Sequence, residues 1–317
     1  MDLPIMHLAF SMVKGLGAKT IRKIVPQMKN AKTQEDAYLL LEQLMQKSKR
    51  IEKTSRELFF SYVKDAEKIL AEQEKDGVVA ISMGDVAYPE SFLKLDDPPV
   101  VFYAKGNVDA LMQKGIAVIG TRDVSDFGRQ VGEHIGRYVA KSGFTVVSGL
   151  AAGCDTSGHR GCLDAGGITV AIVATPLNKV YPASNTALAK EILDKNGCFI
   201  SEYPYGAPTS SFNFVARDRL QCGLANGVIV VETGLKGGTH HAVNGALKLG
   251  KPLACFNYKN EHYEKVDQSK GNRMLIQSGK ADAIDTEDAM KAFLAKCGTV
   301  QKTNGGNSED EMSLFPE

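Results

Sequence analysis

AVIGTRDVSDFG, residues 117–128, has the pattern of a strand, a turn and a helix: an apolar run ends at Gly120, and a helical pattern follows a short polar turn. Nucleotide-binding βαβ units begin in this way. The turn of a dinucleotide site, however, needs glycines, because the pyrophosphate lies against bare backbone. This chain has Thr121, Arg122 and Asp123 there. The segment therefore predicts a Rossmann-like unit whose turn does not hold a pyrophosphate.

The alternation of apolar segments and helical stretches continues from residue 115 to residue 285. Each apolar segment is short and rich in β-branched residues, which suits parallel strands covered on both faces. The segments are GIAVIG, TVVSGL, ITVAIVA, CFISEY, GVIVVE and PLACFN. The pattern predicts an α/β fold with a doubly wound, Rossmann-like, mostly parallel sheet.

Composition and pattern divide the chain into three regions. Residues 1–75 have apolar residues at helical spacing and predict a small N-terminal helical domain. Residues 76–290 form the predicted Rossmann-like domain. Residues 291–317 are polar, glycine-rich and acidic, and they predict a disordered tail.

The overall composition narrows the functional classes. The 317 residues contain no apolar segment long enough to cross a membrane, and their formal net charge is +1, so a nucleic-acid partner needs a local basic patch. The N-terminus lacks the basic segment of a signal peptide, and the six cysteines form no C-x-x-C pair. These features predict a cytoplasmic protein with buried thiols and no metal site.

Ligands of doubly wound sheets bind beyond the carboxyl ends of the strands, so the residues that follow each strand are the candidate site. Cations and aromatic residues occur together there, which suits the phosphates and bases of a nucleic acid. The candidate DNA-binding residues are Arg122, Lys179, Arg217, Arg219 and Tyr181. Candidates for phosphate-binding or nucleotide-binding loops are Gly120, Thr121, Gly149, Gly153, Gly237, Gly238 and Thr239. Phe214 is expected to belong to the core.

A second candidate contact lies in VKGLGAKTIRKI, residues 13–24, where Gly15 and Gly17 predict a tight turn between two helices. The cations beside this turn are Lys14, Lys19 and Arg22. The arrangement resembles a helix-hairpin-helix, whose turn donates amides to nucleic-acid phosphates. An ordinary helix–helix turn with solvated lysines fits the same residues, so both interpretations stay open.

Enzyme signatures are weak in this sequence. It contains no G-x-x-x-x-G-K-[ST] phosphate loop, no G-x-S-x-G nucleophile motif and no metal-spaced cluster. Glu202 and Glu232 follow strands, but carboxylates at strand ends more often pair with cations such as Arg217 or Arg219 than act as a general acid or base. We therefore predict a binding protein without a cofactor rather than an enzyme.

Residues 85–282 resemble the DNA-processing protein A (DprA, also called Smf) family. The matching motifs follow in order along the chain: DVAYP, AVIGTR, VVSGLAAGCDTSGHRG, VYPASN, ISEYPYG, FNFVARDRL and GNRMLIQSGKADAI. The resemblance implies a Rossmann-like protein that binds single-stranded DNA, forms a homodimer and helps to load a RecA-type recombinase in DNA uptake or recombination. It also implies a protein that is not an enzyme.

The family motifs imply roles for three arginines. Arg122 falls on the arginine of the family's GTR motif, which contacts the DNA backbone, and Arg217 and Arg219 fall on the two arginines of its R-N-R motif. We expect Arg122 to reach a phosphate beside the amino end of the following helix, and the other two arginines to hold the next phosphates. The alternative for Arg122 is an internal clamp to Asp123 or Asp126.

Two departures from the family's motifs fall among the candidate site residues, and a third is the missing P-G after the strand PLACFN. Asp218 stands where the R-N-R motif has asparagine, and GGT replaces the usual S-G-[ST] at residues 237–239. The segment KGGTHHAVNG faintly resembles the P-G-G-x-G-T-x-x-E motif of the lysine-decarboxylase-like (LOG) nucleotide hydrolases, but Asn244 replaces the catalytic glutamate. Sensing or processing of a nucleotide derivative is therefore the alternative function.

The C-terminal segment EMSLF, residues 311–315, resembles the Q-L-[SD]-L-F peptide by which bacterial proteins dock in the DNA sliding clamp. Leu314 and Phe315 would fill an apolar pocket of the clamp. A tail without function is the alternative.

Overall fold

In the computed structural model, which describes residues 1–259 and 266–298, the strands form a nine-stranded sheet. They are β1 (Val78–Ser82), β2 (Val101–Gly106), β3 (Gly115–Ile119), β4 (Thr145–Ser148), β5 (Thr169–Ile172), β6 (Cys198–Ser201), β7 (Gly227–Val230), β8 (Leu253–Phe256) and β9 (Asp282–Ile284). Their order across the sheet is β1-β2-β6-β5-β4-β3-β7-β8-β9. β3 to β9 are parallel, and β1 and β2 add an antiparallel edge. The predicted fold class is confirmed.

The α-helices of the described ranges precede the sheet, connect its strands and follow the last strand. They are α1 (Leu3–Ser11), α2 (Ala18–Lys23), α3 (Val25–Asn30), α4 (Gln34–Lys47), α5 (Arg56–Lys75), α6 (Asp126–Lys141), α7 (Cys154–Asp164), α8 (Thr186–Asp194), α9 (Ser211–Leu224), α10 (Thr239–Lys248), α11 (Lys270–Gln277) and α12 (Glu287–Cys297).

Strand β3 shows why the parallel strands are apolar throughout. Its residues Ala117 and Ile119 pack in a core with α9, α10 and α11 on one face of the sheet. Ile116 and Val118 pack in a second core with α6, α7 and α12 on the other face. Because successive side chains of a strand point to opposite faces, a strand that is covered twice needs apolar residues at every position.

The winding of the sheet reverses between β3 and β7. β3 pairs with β4 on one side and with β7 on the other, so the connections that leave β3 and β7 run to opposite sides. Loops that diverge in this way open a crevice above the carboxyl ends of the two strands. The fold therefore places residues 120–125 and 231–238 beside one crevice.

The N-terminal helical region predicted from the sequence is present and comprises α1 to α5. It has its own core, in which Phe10 and Phe59 meet edge to face with ring centroids 5.3 Å apart. Val25 of α3 packs with Val78 and Tyr103 of the antiparallel edge. The helical region is thus packed on that edge of the sheet.

The predicted start of the disordered tail, residue 291, is helical. Residue 291 lies inside α12, whose residues Met290, Phe293 and Leu294 are buried against the sheet. The predicted start was wrong because these apolar residues recur at helical spacing, which outweighs the polar composition around them. The remaining tail from residue 299, including Leu314 and Phe315, lies outside the described residues.

The six cysteines are buried free thiols, as predicted. Burial raises their pKa, for example that of Cys198 to about 12, and so keeps the thiols protonated. None of the helices in residues 1–259 and 266–298 has both the length and the hydropathy needed to cross a membrane.

Candidate functional site

A cleft of about 740 Å³ lies above the carboxyl ends of β3 and β7. One wall is the end of β3 and the loop that follows it (residues 119–123). A second wall is residues 209–221, which include one face of the first eleven residues of α9, and a third is residues 233–242 at the start of α10. Tyr181 lines the cleft from the loop after β5. The volume falls within the range of roughly 300–1,000 Å³ that is typical of ligand sites.

Arg122 is an exposed cation of this cleft, and its guanidinium lies over the ring of Phe214, with Cζ 5.3 Å from the ring centroid. Within the described part of the chain it forms no ion pair. Asp123 instead accepts a hydrogen bond from Gln268, and Asp126 pairs with Arg129 at 3.3 Å. The internal clamp to these two carboxylates is therefore wrong, and the charge of Arg122 faces the cleft.

The amino end of α6 is already occupied by side chains of this protein. Ser125 caps the helix by accepting a hydrogen bond from the Gly128 amide at 2.9 Å. The buried carboxylate of Glu232 accepts a bond from the Ser125 amide at 2.8 Å and a second from its hydroxyl. A carboxylate at this place meets the partial positive charge of the helix terminus. The expectation that a ligand phosphate sits at this helix terminus was wrong, because Glu232 takes that place.

Arg217 lies in the floor of the cleft and not at its surface. The residue is 5% exposed, and its Nη1 donates a hydrogen bond to the Ile172 carbonyl at 2.6 Å. Its Nε lies 3.2 Å from the carboxylate of Asp218. Its guanidinium fills the space above Gly149, where a Cβ would be 1.4 Å from Nη1. The expected approach to a phosphate from a neighbouring edge was wrong, since these contacts hold the guanidinium inside the protein.

Arg219 lies on another side of α9, because residues two apart on a helix point about 200° apart. Its Nη1 and Nη2 donate to the two oxygens of Glu202 at 2.5 and 2.7 Å. Its Nε donates to the Asp97 carbonyl at 3.0 Å. The predicted phosphate contact was wrong, and the alternative pairing with a strand-end carboxylate is confirmed for Glu202. Arg219 fixes α9 to the end of β6.

The basic residues of the N-terminal region do not line the cleft. Arg22 donates to the Asp97 carboxylate at 2.5 Å and to the Pro98 carbonyl at 2.9 Å, which fastens α2 to the loop before β2. Lys14 lies 3.4 Å from Glu52. Lys19 is exposed. The prediction that Arg22 contacts DNA was therefore wrong.

The turn between α1 and α2 is packed against the rest of the helical region. Gly15 has a φ of 83°, and a Cβ there would lie 1.9 Å from the Arg50 carbonyl. The Glu52 amide donates to the Lys14 carbonyl at 2.9 Å. These contacts favour the ordinary helix–helix turn over a helix-hairpin-helix that faces DNA.

The candidate glycine loops fall into two groups. Close packing explains why three of them are glycines: a Cβ would lie 2.4 Å from Cys154 Sγ at Gly120, 1.4 Å from Arg217 at Gly149 and 2.4 Å from the Thr121 carbonyl at Gly153. Gly237 and Gly238 have nothing within 4 Å of a Cβ and are exposed in the wall of the cleft. These two, followed by Thr239 at the start of α10, stay candidates for close approach of a ligand.

The aromatic residues of the cleft are Tyr181 and Phe214, with ring centroids 5.4 Å apart. Tyr181 is 51% exposed, as a stacking residue must be. Lys179 is exposed in the same loop but does not line the cleft. Phe214 was expected in the core, and this was wrong: it stands in the cleft wall.

Asp218 and His241 also line the cleft. The sequence identified Asp218 only as a departure from the R-N-R motif, and neither residue was predicted as a site residue. Spacing was the available signal, because Asp218 follows Phe214 by four residues and so shares its side of a helix. Burial raises the pKa of Asp218 to about 6, although the neighbouring Arg217 opposes that shift. Asp155, which is buried beneath the cleft, also has a raised pKa because of its burial.

The fold and the cleft together define a class: a doubly wound α/β protein with a cleft at its topological switch point, where Arg122 and two aromatic rings lie. The sequence matches the family model described as DNA recombination-mediator protein A over residues 79–295. The chain therefore belongs to this family.

Individual relatives agree with this assignment. The chain is 32% identical to the Smf protein of Synechocystis sp. over 256 residues, which are 78% of this chain but only 61% of that protein. The X-ray structure of DprA from Streptococcus pneumoniae matches with a TM-score of 0.73 and 26% identity, covering 92% of this chain and 98% of that one. A structure of DprA from Helicobacter pylori, which concerns its unique single-stranded DNA binding mode, gives a TM-score of 0.59 and 28% identity over 68% and 94% of the two chains.

Proposed function

We propose that this protein binds single-stranded DNA of no fixed sequence across the carboxyl ends of β3 and β7. The observation that carries the proposal is Arg122, an exposed guanidinium that lies over Phe214 and has no carboxylate partner in the described residues. Bases stack on aromatic rings while cations hold the backbone, and this pairing is typical of single-strand sites. The single-stranded DNA described for the Helicobacter pylori relative supports the same ligand.

We further propose that the protein acts without catalysing a reaction. The carboxylates nearest the strand ends are engaged within the protein: Glu202 holds Arg219, and Glu232 holds the Ser125 cap. Asp155 accepts hydrogen bonds from the Gly149 and Ala151 amides at 3.1 and 3.3 Å. A general base needs a lone pair that a substrate can reach, and these contacts turn the three carboxylates toward partners inside the protein.

Family membership supports the remaining parts of the proposal. The protein would work in the cytoplasm as a homodimer and would help to load a RecA-type recombinase during DNA uptake or recombination. Light scattering with and without DNA tests the dimer, and strand-exchange assays with a purified recombinase test the loading.

Comparison of single-stranded with duplex DNA tests the central proposal. We expect a labelled oligo-dT to bind at least tenfold more tightly than a blunt duplex of the same length, because paired bases cannot reach the rings of Tyr181 and Phe214. Fluorescence anisotropy at several salt concentrations gives both affinities. Equal affinity for the two ligands contradicts the proposal.

A nucleotide derivative is the second candidate ligand, because the cleft of about 740 Å³ is of the size that encloses small molecules. The exposed Gly237 and Gly238 would let its phosphate approach the backbone. Titration with mononucleotides against oligo-dT separates the two functions. Saturable binding of a mononucleotide by a protein that does not bind oligo-dT would favour a sensor.

We propose that the segment at residues 311–317 docks in the sliding clamp. Leu314 and Phe315 supply the apolar side chains that such a peptide needs. Removal of residues 311–317 should weaken a pull-down with purified clamp, whereas the full chain should retain it. Equal recovery of the clamp with both proteins contradicts the docking.

A further inference from the structure

One face of α9 forms a wall of the cleft. Ser211, Phe214, Asp218 and Gln221 all line the cleft, and their spacing of three or four residues places them in a row on one side of the helix. Along this row a hydroxyl, an aromatic ring, a carboxylate and an amide follow one another. In such a row the aromatic ring can stack on the face of a base, and the polar groups can form hydrogen bonds with its edge.

The carboxylate of Asp218 is the unusual member of this row. Its side chain is only 16% exposed, so most of its hydration is lost. Arg217 Nε lies 3.2 Å away, yet the carboxylate accepts no hydrogen bond from any residue in the described ranges. A carboxylate offers about four acceptor positions, and a half-satisfied acceptor in a cleft is stabilised by any donor that a ligand brings.

The groups near Asp218 indicate where that donor would come from. The Arg122 guanidinium and the rings of Phe214 and Tyr181 form a stacking surface. Phe214 lies about one helical turn before Asp218 on α9. Bases stack both on aromatic rings and on arginine planes. A base placed on this surface would turn one edge toward Asp218.

The four bases differ in what they offer to a carboxylate. Guanine presents two adjacent donors, the ring N1–H and the 2-amino group, which match the two oxygens as the fork of an arginine does. Adenine and cytosine each place an acceptor beside a single amino group, and thymine places its N–H between two carbonyls. Those acceptors would face the negative charge of Asp218.

We infer that the α9 face of the cleft is a guanine subsite, in which Asp218 accepts from the Watson–Crick edge of a base stacked at Arg122 and Phe214. The inference rests on the proposed binding of single-stranded DNA and refines it: one nucleotide of a bound strand is preferred as guanosine, while the rest of the strand is held without regard to sequence.

Base analogues test the inference within one DNA background. The probes are oligo-dT and the same oligomer carrying guanine, hypoxanthine or 2-aminopurine at one internal position. Hypoxanthine lacks the 2-amino donor, and 2-aminopurine lacks the N1–H donor. We expect the guanine probe to bind at least about fivefold more tightly than oligo-dT, and each analogue to lose most of this advantage. Equal affinity for the guanine and hypoxanthine probes overturns the inference.

Variants of Asp218 provide the second arm. In Asp218→Asn the guanine advantage should fall below about twofold, while the affinity for oligo-dT stays equal or rises because a negative charge has left the cleft. Asp194→Asn is the matched control, since this carboxylate is exposed on α8 and lies outside the cleft wall. A guanine advantage that persists in a folded Asp218→Asn protein overturns the inference.

The two proposals fail in distinguishable ways. Binding of oligo-dT that is no tighter than binding of duplex contradicts the proposed function, whatever the guanine probe does. In that case dGMP and dIMP are compared by titration calorimetry, because the subsite holds a single nucleotide. Tighter binding of dGMP that is lost in Asp218→Asn supports the subsite, and equal binding of the two nucleotides overturns it.

Discussion

Arg122, which faces the cleft, and the two arginines beside Asp97 have different partners. Arg122 lies over an aromatic ring and pairs with no carboxylate of the described residues, whereas Arg22 and Arg219 both reach Asp97. Arg219 also holds both oxygens of Glu202. The contrast shows that a cation is available to a ligand only where its neighbours leave it unpaired. A motif such as Arg-Asp-Arg does not supply that information.

The largest expected effect is on stability, at Arg219. Arg219→Ala leaves Glu202 without its partner at a place where the side chain is only 19% exposed. We expect the free energy of unfolding to fall by about 3 kcal/mol, because an unpaired, mostly buried carboxylate is costly. Urea denaturation measures this loss, and DNA binding of the folded variant should change less than threefold.

Arg129→Ala is the control for that measurement. Its pair with Asp126 is exposed, so we expect a loss below about 0.5 kcal/mol. If Arg219→Ala were as stable as this control and its DNA affinity depended less on salt, Arg219 would contact DNA and would not stabilise the fold.

The second effect depends on pH and concerns Asp218. Burial raises the pKa of Asp218 from the ordinary 3.8 to about 6 in the folded state, so the folded protein binds more protons than the unfolded chain between these values. The free energy of unfolding therefore falls as pH rises from about 4 to about 6, by about 2 kcal/mol, and stays lower above that range.

Asp218→Asn lacks the titrating carboxylate, so comparison with the wild type shows how much of the pH dependence of stability comes from Asp218. The unfolding free energy of the variant minus that of the wild type should grow by about 2 kcal/mol between pH 4 and pH 7.5. Chemical denaturation at four or five pH values gives the difference. A difference that does not change with pH would show that the Asp218 carboxylate ionises as freely as one on the surface.

The third effect is on DNA affinity, at Arg122. Arg122→Ala should weaken binding of oligo-dT at least tenfold and reduce the slope of log affinity against log salt by about 0.7, which corresponds to one phosphate contact. The melting temperature should stay nearly unchanged, since no ion pair of the described residues is lost. A well-folded variant with an unchanged slope would remove Arg122 from the DNA path.

The smallest effect is expected in the helical region. Lys14→Ala combined with Lys19→Ala should change the affinity for oligo-dT less than twofold, because neither residue lines the cleft and the turn between α1 and α2 is packed against residues 50–52. Anisotropy titrations at low salt are the most sensitive measurement. A tenfold loss would restore the helix-hairpin-helix interpretation of that turn.

The fold could be predicted because the parallel strands are apolar on both faces and the helices between them are not. β3 illustrates this, since each of its residues is buried. The start of the tail could not be predicted from composition, because three apolar residues of α12 outweigh their polar neighbours.

The position of the site in the fold could be predicted, but the partners of its individual side chains could be predicted only in part. Arg122 follows a strand at the reversal of the sheet, and topology alone puts it in the crevice. The separation of Arg217 from Arg219 follows from helical geometry once the segment is known to be a helix. The partner of Arg219 at Asp97 is 122 residues away, and no local pattern indicates it.

The position of the Glu232 carboxylate affects whether a dinucleotide can bind at the amino end of α6. In a dinucleotide enzyme the first helix after the strand offers its amides to a diphosphate. Here the Glu232 carboxylate fills that position. It packs so closely on α6 that a Cβ at Gly128 would lie 2.3 Å from its Cδ. The Glu232 carboxylate thus supplies the negative charge that a diphosphate would bring to this helix terminus. A free dinucleotide would have to displace a carboxylate that belongs to the protein and is already hydrogen-bonded at this site. The α6 terminus is in this way closed to a diphosphate, and the phosphates of any bound ligand must lie elsewhere in the cleft.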